Sequence, residues 1–325
     1  MGEYARILAE FPERQHNGYI PMHSANLRFI RIKFWSPRRY DILCFPRSDV
    51  PFMSKRSSAI SVARVRGELR ETVDDRVAVE EPLEIRLGFQ QAGERLTRPV
   101  SITMRTPGDD EELAVGFLYS ELIIRSPADV AIVKPCQGDN TIRVELEDDV
   151  DVDLERLRRH FYTTSSCGVC GKASLDALHL MGAEPPESGT RFARDVIISM
   201  PDRVRRAQAV FEETGGLHAA AVFTGDGTIV AVREDVGRHN AVDKVVGALF
   251  REQRLPASDL GLMVSGRASF ELMQKALVGG LPLLAAVGAP SSLAVELARE
   301  FNVTLVGFLR DGSYNVYSGE ERLTA

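Results

Sequence analysis

Between residues 229 and 308 the sequence repeats one theme three times: a short apolar run, a loop of small and polar residues, and a stretch of helical length. Residues 229–232 lead through Asp235-Val-Gly-Arg-His-Asn into 241–250. Residues 261–264 lead through Ser265-Gly266-Arg267 into 269–278, and 283–287 lead through Gly288-Ala-Pro-Ser-Ser into 293–301. A last apolar run, 303–308, closes the series. Such alternation buries its apolar runs when strands lie side by side beneath helices. The expected fold class is therefore α/β, with a mixed, largely parallel sheet. Ligands on such sheets bind beyond the carboxyl ends of the strands, where three helix N-termini would gather here.

The preceding residues read differently. Residues 203–213 are helical, stopped by Gly215-Gly216, and 217–223 and 228–233 form a hairpin through Gly225-Asp226-Gly227. Further upstream, 57–66 alternate weakly, a strand pattern begins at 77, and 82–87 and 100–105 alternate clearly between apolar and polar residues. The turn at 106–110 feeds a helix at 111–122, whose leading acids suit the positive end of the helix dipole. Strands at 131–134 and 141–146 flank a turn at 138–140, and 154–162 forms a short helix. This pattern predicts a smaller N-terminal α+β domain over 57–162. A cysteine loop and linker follow over 163–190, with a short helix at 173–181, and an α/β domain occupies 191–325.

Residues 1–56 stand apart. Residues 1–52 hold eight basic against five acidic residues and nine of the 23 aromatics, with no clean helical or strand period. Two readings stay open: an N-terminal extension, or upstream sequence read in before a true start at Met53. A secretory signal is not expected, because Met1 to Gln15 carries acids where an apolar segment belongs. Across the whole chain, the net charge of −6 argues against a nucleic-acid-wrapping surface or a polybasic membrane anchor. The longest apolar run, 277–289, is broken by Gly279, Gly280, Pro282 and Gly288, so no spanning helix is expected.

Cys167-Gly168-Val169-Cys170 lies in a glycine- and serine-rich stretch with Lys172 close behind. Three chemistries use such a pair. A tetrahedral zinc site needs two further ligands, and neither a second C-x-x-C nor an H-x3–5-H follows. A thioredoxin-like redox pair sits between a strand and a helix, whereas this loop is glycine-rich on both sides. An exposed thiolate on a flexible arm can accept the terminal sulfur of a persulfide and pass it on. Zinc deaminases join H-x-E to a downstream P-C-x-x-C. Here His218 is followed by Ala220 where the proton-carrying Glu belongs, and the C-x-x-C lies upstream, so deamination is disfavoured. His218 reads as a partly buried strand residue facing the ligand cleft or the core, and Cys44 and Cys136 as buried free cysteines.

The three loops also bring Arg238, His239, Asn240, Ser265, Gly266, Arg267, Ser269, Ser291 and Ser292 to helix N-termini. Free amides and arginines there suit a phosphate-bearing ligand, although the serines serve equally as helix caps. No Walker A or G-x-G-x-x-G sequence is present, so ATP hydrolysis and hydride transfer lack support.

Six segments together resemble the FdhD family, the formate dehydrogenase accessory sulfurtransferases. They are Glu81-Pro-Leu-Glu-Ile, Met104-Arg-Thr-Pro-Gly-Asp-Asp-Glu-Glu-Leu-Ala-Val-Gly-Phe and Ser165-Ser-Cys-Gly-Val-Cys-Gly-Lys. Then come Glu234-Asp-Val-Gly-Arg-His-Asn-Ala-Val-Asp-Lys, Ser265-Gly-Arg-Ala-Ser-Phe-Glu and Gly288-Ala-Pro-Ser-Ser-Leu-Ala. They run in order from about residue 75 to the end. The resemblance implies a cytidine-deaminase-like three-layer C-terminal domain, a homodimer and a cytoplasmic location. It implies a sulfurtransferase that takes sulfur as a persulfide from a cysteine desulfurase and delivers it to bis-molybdopterin guanine dinucleotide molybdenum cofactor, for apo formate dehydrogenase. That cofactor would be a bound substrate, with no permanent cofactor and no metal ligands of the protein's own. Cys167 would carry the persulfide and Cys170 assist, and Phe308, Leu309, Arg310, Asp311, Gly312 and Ser313 match the family's cofactor-contacting segment. A molybdenum-cofactor chaperone without sulfur transfer and a thiol–disulfide oxidoreductase are the alternatives.

Overall fold

The computed structural model describes residues 56–136, 140–152, 183–187 and 189–325. Cys167, Cys170, the expected helices at 154–162 and 173–181, the loop at 163–171 and the first 55 residues lie outside the described residues, as does Cys44.

The first elements are two long strands, β1 (Ser57–Arg66) and β2 (Leu69–Ala78), paired antiparallel in a two-stranded ribbon. The sequence pattern placed a strand start at 77, where β2 in fact ends. Neither face of the ribbon is a core face, so its alternation in the sequence is weak over β1 and gives no bounds for β2. Strands β3 (Glu81–Gln91), β4 (Glu94–Arg105), β5 (Val130–Pro135) and β6 (Thr141–Leu146) form a second sheet in the order β4-β3-β6-β5. Leu83, Ile85, Leu87 and Phe89 alternate along β3 onto its buried face, against helix α1 (Asp110–Ser120).

Then come β7 (Phe192–Ala193), helix α2 (Arg194–Ala207) and the short α3 (Ala209–Thr214), which ends on Gly215 in the left-handed region. The helical region thus begins nine residues before the expected 203, because Pro201 and the charged residues of α2 hide its one apolar face, Ile197, Met200 and Val204. The main sheet comprises β8 (His218–Thr224), β9 (Ile229–Asp235), β10 (Leu260–Val264), β11 (Leu283–Ala286), β12 (Thr304–Arg310) and β13 (Ser313–Ser318). Their order is β13-β12-β11-β10-β8-β9. A two-residue β14 (Leu323–Thr324) pairs with β7. Helices α4 (Arg238–Arg251), α5 (Phe270–Val278) and α6 (Ser292–Glu300) cross between strands.

The sheet is mixed, as expected, but it is not largely parallel. Only β10–β11 and β11–β12 pair parallel, while β8–β9, β8–β10 and β12–β13 pair antiparallel. The cause is local: tight hairpins join β8 to β9 and β12 to β13, and a short turn can only reverse the chain. Strand β13 itself carries no sequence signal, since its side chains are largely exposed.

Alternate residues divide between two cores. Ala220, Val222, Leu262, Val264, Leu284 and Leu305 face α4, α5 and α6, in one cluster that also holds α1 and the buried face of β3. Ala221, Phe223, Met263, Leu283 and Val306 face α2. Helices thus cover both faces of the sheet.

Helices α1 and α4 meet at glycines. A methyl group on Gly116 would lie 1.8 Å from the Asp243 carbonyl oxygen, and one on Gly247 would lie 1.9 Å from that of Glu112. Only glycine lets the two backbones approach so closely. The crossing is flanked by the bidentate Arg233–Glu112 pair, at 2.5 and 2.7 Å. The expected outcome for Gly247→Ala is a loss of roughly 3 kcal/mol of stability, because backbone must shift rather than a side chain rotate. Urea unfolding of the variant checks this, and an unchanged midpoint contradicts it.

Candidate functional site

The segment between β9 and α4 shows how the sequence builds the site. Asp235, the last residue of β9, and Lys244, in the second turn of α4, are both fully buried and lie 2.8 Å apart. The Asp235 carboxylate also accepts hydrogen bonds from the backbone N–H of Thr106 (3.1 Å), the N–H of Gly237 (2.8 Å) and Asn240 Nδ2 (2.9 Å). Lys244 Nζ donates to the Thr106 carbonyl at 2.9 Å, and Thr106 Oγ1 accepts the N–H of Val236 at 3.1 Å. Asn240 Nδ2 reaches the Met104 carbonyl at 2.7 Å, and Thr103 Oγ1 donates to Asn240 Oδ1 at 3.0 Å. A Cβ on Gly237 would lie 2.9 Å from Asn240 Nδ2, so glycine is needed where Asn240 turns inward. The result is a fixed first turn of α4 that presents Arg238 and His239.

Three further segments meet that turn. Gly266 follows β10, and a Cβ there would lie 3.5 Å from His218 Nδ1 and 3.9 Å from Arg238 Cδ, so all three share one surface. His239 Nε2 lies 3.5 Å from Ser269 Oγ and 3.9 Å from Glu271 Oε2, at the start of α5. The Nε of Arg238 is buried and meets no acceptor. Burial, with Arg238 and Lys275 nearby, pushes His239 down to about 4, although Glu271 opposes this. Burial and then Arg238 also lower His218, against the pull of Asp235. Burial works to raise Glu271, but hydrogen bonds from its own backbone N–H and from Ser269, with His239 and Arg238, hold it below the usual carboxylate range. At neutral pH the cluster therefore holds two neutral imidazoles, one carboxylate and the arginines Arg238 and Arg267.

The expected site residues thus fall into two groups. Arg238, His239, Gly266 and Arg267 gather, with Arg267 exposed and packed on Gly288. Ser265 supports them: its Oγ accepts the N–H of Ala219 at 2.9 Å and ties β10 to β8. Ser291 caps α6 by accepting the N–H of Ala294. The second group lies further along the same edge. The Gly288 N–H donates to the Gly266 carbonyl (2.9 Å), and the Phe308 N–H to the Gly288 carbonyl (3.1 Å). Phe308 breaks β12 with a positive φ of 53° and leaves its ring 36% exposed, 5.9 Å from the Arg310 guanidinium. Asp311 and Gly312, both at positive φ, form the two-residue turn into β13, with Ser313 Oγ donating to the Arg310 carbonyl. Leu309 points into the core on the α2 side.

Sequence reasoning missed Thr103, Thr106 and Lys244 as supports, whereas His218, expected to face the ligand cleft or the core, lies half-buried beside Gly266. A lone polar residue beside a turn carries no such signal; only the burial of Asp235 shows what they satisfy. Ala220, two residues after His218, is fully buried in β8.

The profile of the FdhD/NarQ family matches residues 78–324. The chain belongs to the FdhD/NarQ family. It is 52% identical over 267 residues to the sulfur carrier protein FdhD of Nocardia farcinica, covering 79% of this chain and 90% of that protein. It is 44% identical over 264 residues to the one from Sulfurisphaera tokodaii, covering 81% of this chain and 98% of the relative. The crystal structure of a putative formate dehydrogenase accessory protein from Desulfotalea psychrophila shares the fold. The TM-score is 0.65 at 23% identity, covering 83% of this chain and all of that one. Among the described residues, no helix of this FdhD/NarQ member is long and apolar enough to cross a membrane.

The depressed histidine gives a direct prediction. In the folded chain His239 stays neutral until about pH 4, while its unfolded value is 6.5. The unfolded state then binds more protons between those values, so stability falls as pH falls from 6.5 towards 4. An NMR titration of the His239 ring is expected to give a midpoint near 4, rising in Arg238→Ala. A midpoint near 6.5 in the wild type contradicts the geometry.

Proposed function

We propose that this FdhD-family sulfur carrier takes sulfur as a persulfide on Cys167 and passes it to molybdenum cofactor in its bis-molybdopterin guanine dinucleotide form, for formate dehydrogenase. One observation carries the sulfur-carrier reading above all: about half of the residues are identical to curated sulfur carriers over most of both chains. The anion-binding cluster supports the choice of substrate. Arg238 and Arg267, with the amides of α4 and α5, offer donors for the pyrophosphates of the dinucleotide. The segment Phe308 to Ser313 offers an exposed ring and Arg310 on the same sheet edge, for a stacked guanine. Leu309 contributes backbone alone in this reading.

The transfer balances with the chain's own thiols. The Cys167 thiolate attacks the terminal sulfur of the desulfurase persulfide; the sulfur–sulfur bond breaks, and the desulfurase keeps its thiolate. Cys167 now holds the persulfide. Attack by the Cys170 thiolate on the Cys167 sulfur forms the Cys167–Cys170 disulfide and releases hydrosulfide to the acceptor. In this reading residues 163–190 form the arm between the N-terminal unit, 57–162, and the C-terminal unit, 191–325. The C-terminal unit is a cytidine-deaminase-like scaffold in which Ala220 replaces the catalytic acid. Cysteine desulfurase and apo formate dehydrogenase are the partners, two copies of the chain associate, and the site of action is the cytoplasm.

The test incubates the full chain with cysteine and a cysteine desulfurase, then maps added mass by peptide mass spectrometry. One sulfur is expected at Cys167, lost in Cys167→Ala, and retained without release in Cys170→Ser. No adduct at either cysteine favours a cofactor chaperone, and a reversible disulfide without persulfide favours a thiol–disulfide oxidoreductase.

A further inference from the structure

The acids that lead α1 each have an arginine: Asp110 has Arg105, Glu111 has Arg251 and Glu112 has Arg233. Glu271, in the first turn of α5, has none. It is exposed, and among the described residues no lysine or arginine lies within ion-pair distance of it. Its side chain takes hydrogen bonds from its own backbone N–H and from Ser269, and its Oε2 stands 3.9 Å from His239 Nε2. At neutral pH that imidazole is uncharged and the carboxylate is ionised. Capping of α5 accounts for the two hydrogen bonds. It does not account for a carboxylate on a surface that otherwise suits phosphate. A carboxylate only accepts hydrogen bonds and repels anions, so its place there calls for a ligand that also brings N–H donors.

The sheet edge sets the order in which a ligand meets these groups. The Phe308 N–H donates to Gly288 and the Gly288 N–H to Gly266, so Phe308 and Gly266 stand at strands two spacings apart, about 10 Å. Gly266 adjoins His218 and Arg238, and the next residue of α4, His239, adjoins Ser269 and Glu271. Followed contact by contact, an exposed ring comes first, Arg267 and Arg238 next, and a carboxylate last. The proposed substrate has its chemistry in the same order: a guanine, a pyrophosphate, and a pterin whose ring N–H and 2-amino group form a pair of parallel donors. A carboxylate accepts such a pair with both oxygens.

We infer that Glu271 sets specificity at the pterin end of the substrate: its carboxylate accepts the ring N–H and the 2-amino group while Arg238 and Arg267 hold the phosphates. The inference rests on the phosphate-binding reading above and deepens it by assigning the second end of the ligand. No bond is made or broken at Glu271; it binds and selects. Guanine carries the same donor pair, but in this order it lies at Phe308, on the other side of the phosphates. A ring with a carbonyl in place of the 2-amino group would set oxygen against oxygen, and a site built around donors rejects such an analogue.

Calorimetric titration of the full chain tests it with 6-hydroxymethylpterin diphosphate and its 2-oxo analogue, 6-hydroxymethyllumazine diphosphate, beside guanosine diphosphate. The wild type is expected to bind the pterin at least about tenfold more tightly than the lumazine. Glu271→Gln is expected to abolish that preference, because the amide NH2 donates to the 2-oxo group. The same substitution removes a negative charge from the phosphate surface, so guanosine diphosphate is expected to bind more tightly. A residue that only capped α5 would instead lose affinity for all three. No pterin preference in the wild type, or one that survives Glu271→Gln, overturns the inference while guanosine diphosphate still binds. A loss of guanosine diphosphate affinity in Glu271→Gln also overturns it. If the preference over inosine diphosphate goes with it, the carboxylate reads guanine; if that preference stays, the carboxylate serves the helix alone. A wild type that binds none of the diphosphates overturns the phosphate-binding reading itself.

Discussion

Asp235 and Lys244 have no access to water, and their 2.8 Å contact is the interaction on which the site depends. Burying two charges costs several kcal/mol per ion, and the pair alone does not recover that. It is tolerable because the remaining hydrogen-bonding capacity is filled by Thr106, Gly237 and Asn240. Those groups come from two places: the turn between β4 and α1, and the first turn of α4. The charges are satisfied only when both are in position. The same bonds that make the pair affordable therefore fix Arg238 and His239 at the edge of the sheet.

Other buried contacts reinforce that assembly. Arg105, almost fully buried beside Thr106, pairs with Asp110 at the start of α1 and reaches Glu81 on β3. Lys275 of α5 pairs with Asp243 at 2.7 Å and with Glu121 after α1 at 3.7 Å. Glu234 accepts the N–H groups of Val210 and Phe211 and so caps α3, which anchors the ribbon. The glycine contact of α1 with α4 brings these charges within reach of one another. The acids expected to serve the dipole of α1 thus have specific partners: Arg105 for Asp110, Arg251 for Glu111 and Arg233 for Glu112.

Much of this was legible in the sequence, for identifiable reasons. The strand–loop–helix theme marks α4, α5 and α6 because each is a stretch of helical length rich in buried apolar residues, and the loops mark the sheet edge because glycine, serine and arginine crowd there. The direction of the outer strands was not legible from the theme, since it depends on the hairpins at 225–227 and 311–312. Weak alternation marked only the first ribbon strand, and β2 and β13 escaped because exposed strands need no alternation. The site was half legible. Arg238, His239, Gly266 and Arg267 stand in turns whose composition points to anions, whereas the role of Thr106 lies in a contact across 130 positions with Val236 that no local pattern encodes. Within the 308–313 segment, turn geometry accounts for Asp311 and Gly312, and core packing for Leu309. Phe308 and Arg310 are left as the exposed groups.

The central claim is that the buried pair and its partners hold a phosphate-binding edge. Calorimetric titration with guanosine diphosphate, the smallest fragment of the proposed substrate that carries both its base and its pyrophosphate, tests it most directly. The full chain is expected to bind. Arg238→Ala should weaken binding at least about tenfold, the worth of a charged hydrogen bond. Thr106→Val should weaken it in the same direction, and Thr106→Ser should restore it. Affinity unchanged in Arg238→Ala, or no binding by the wild type, would contradict the account.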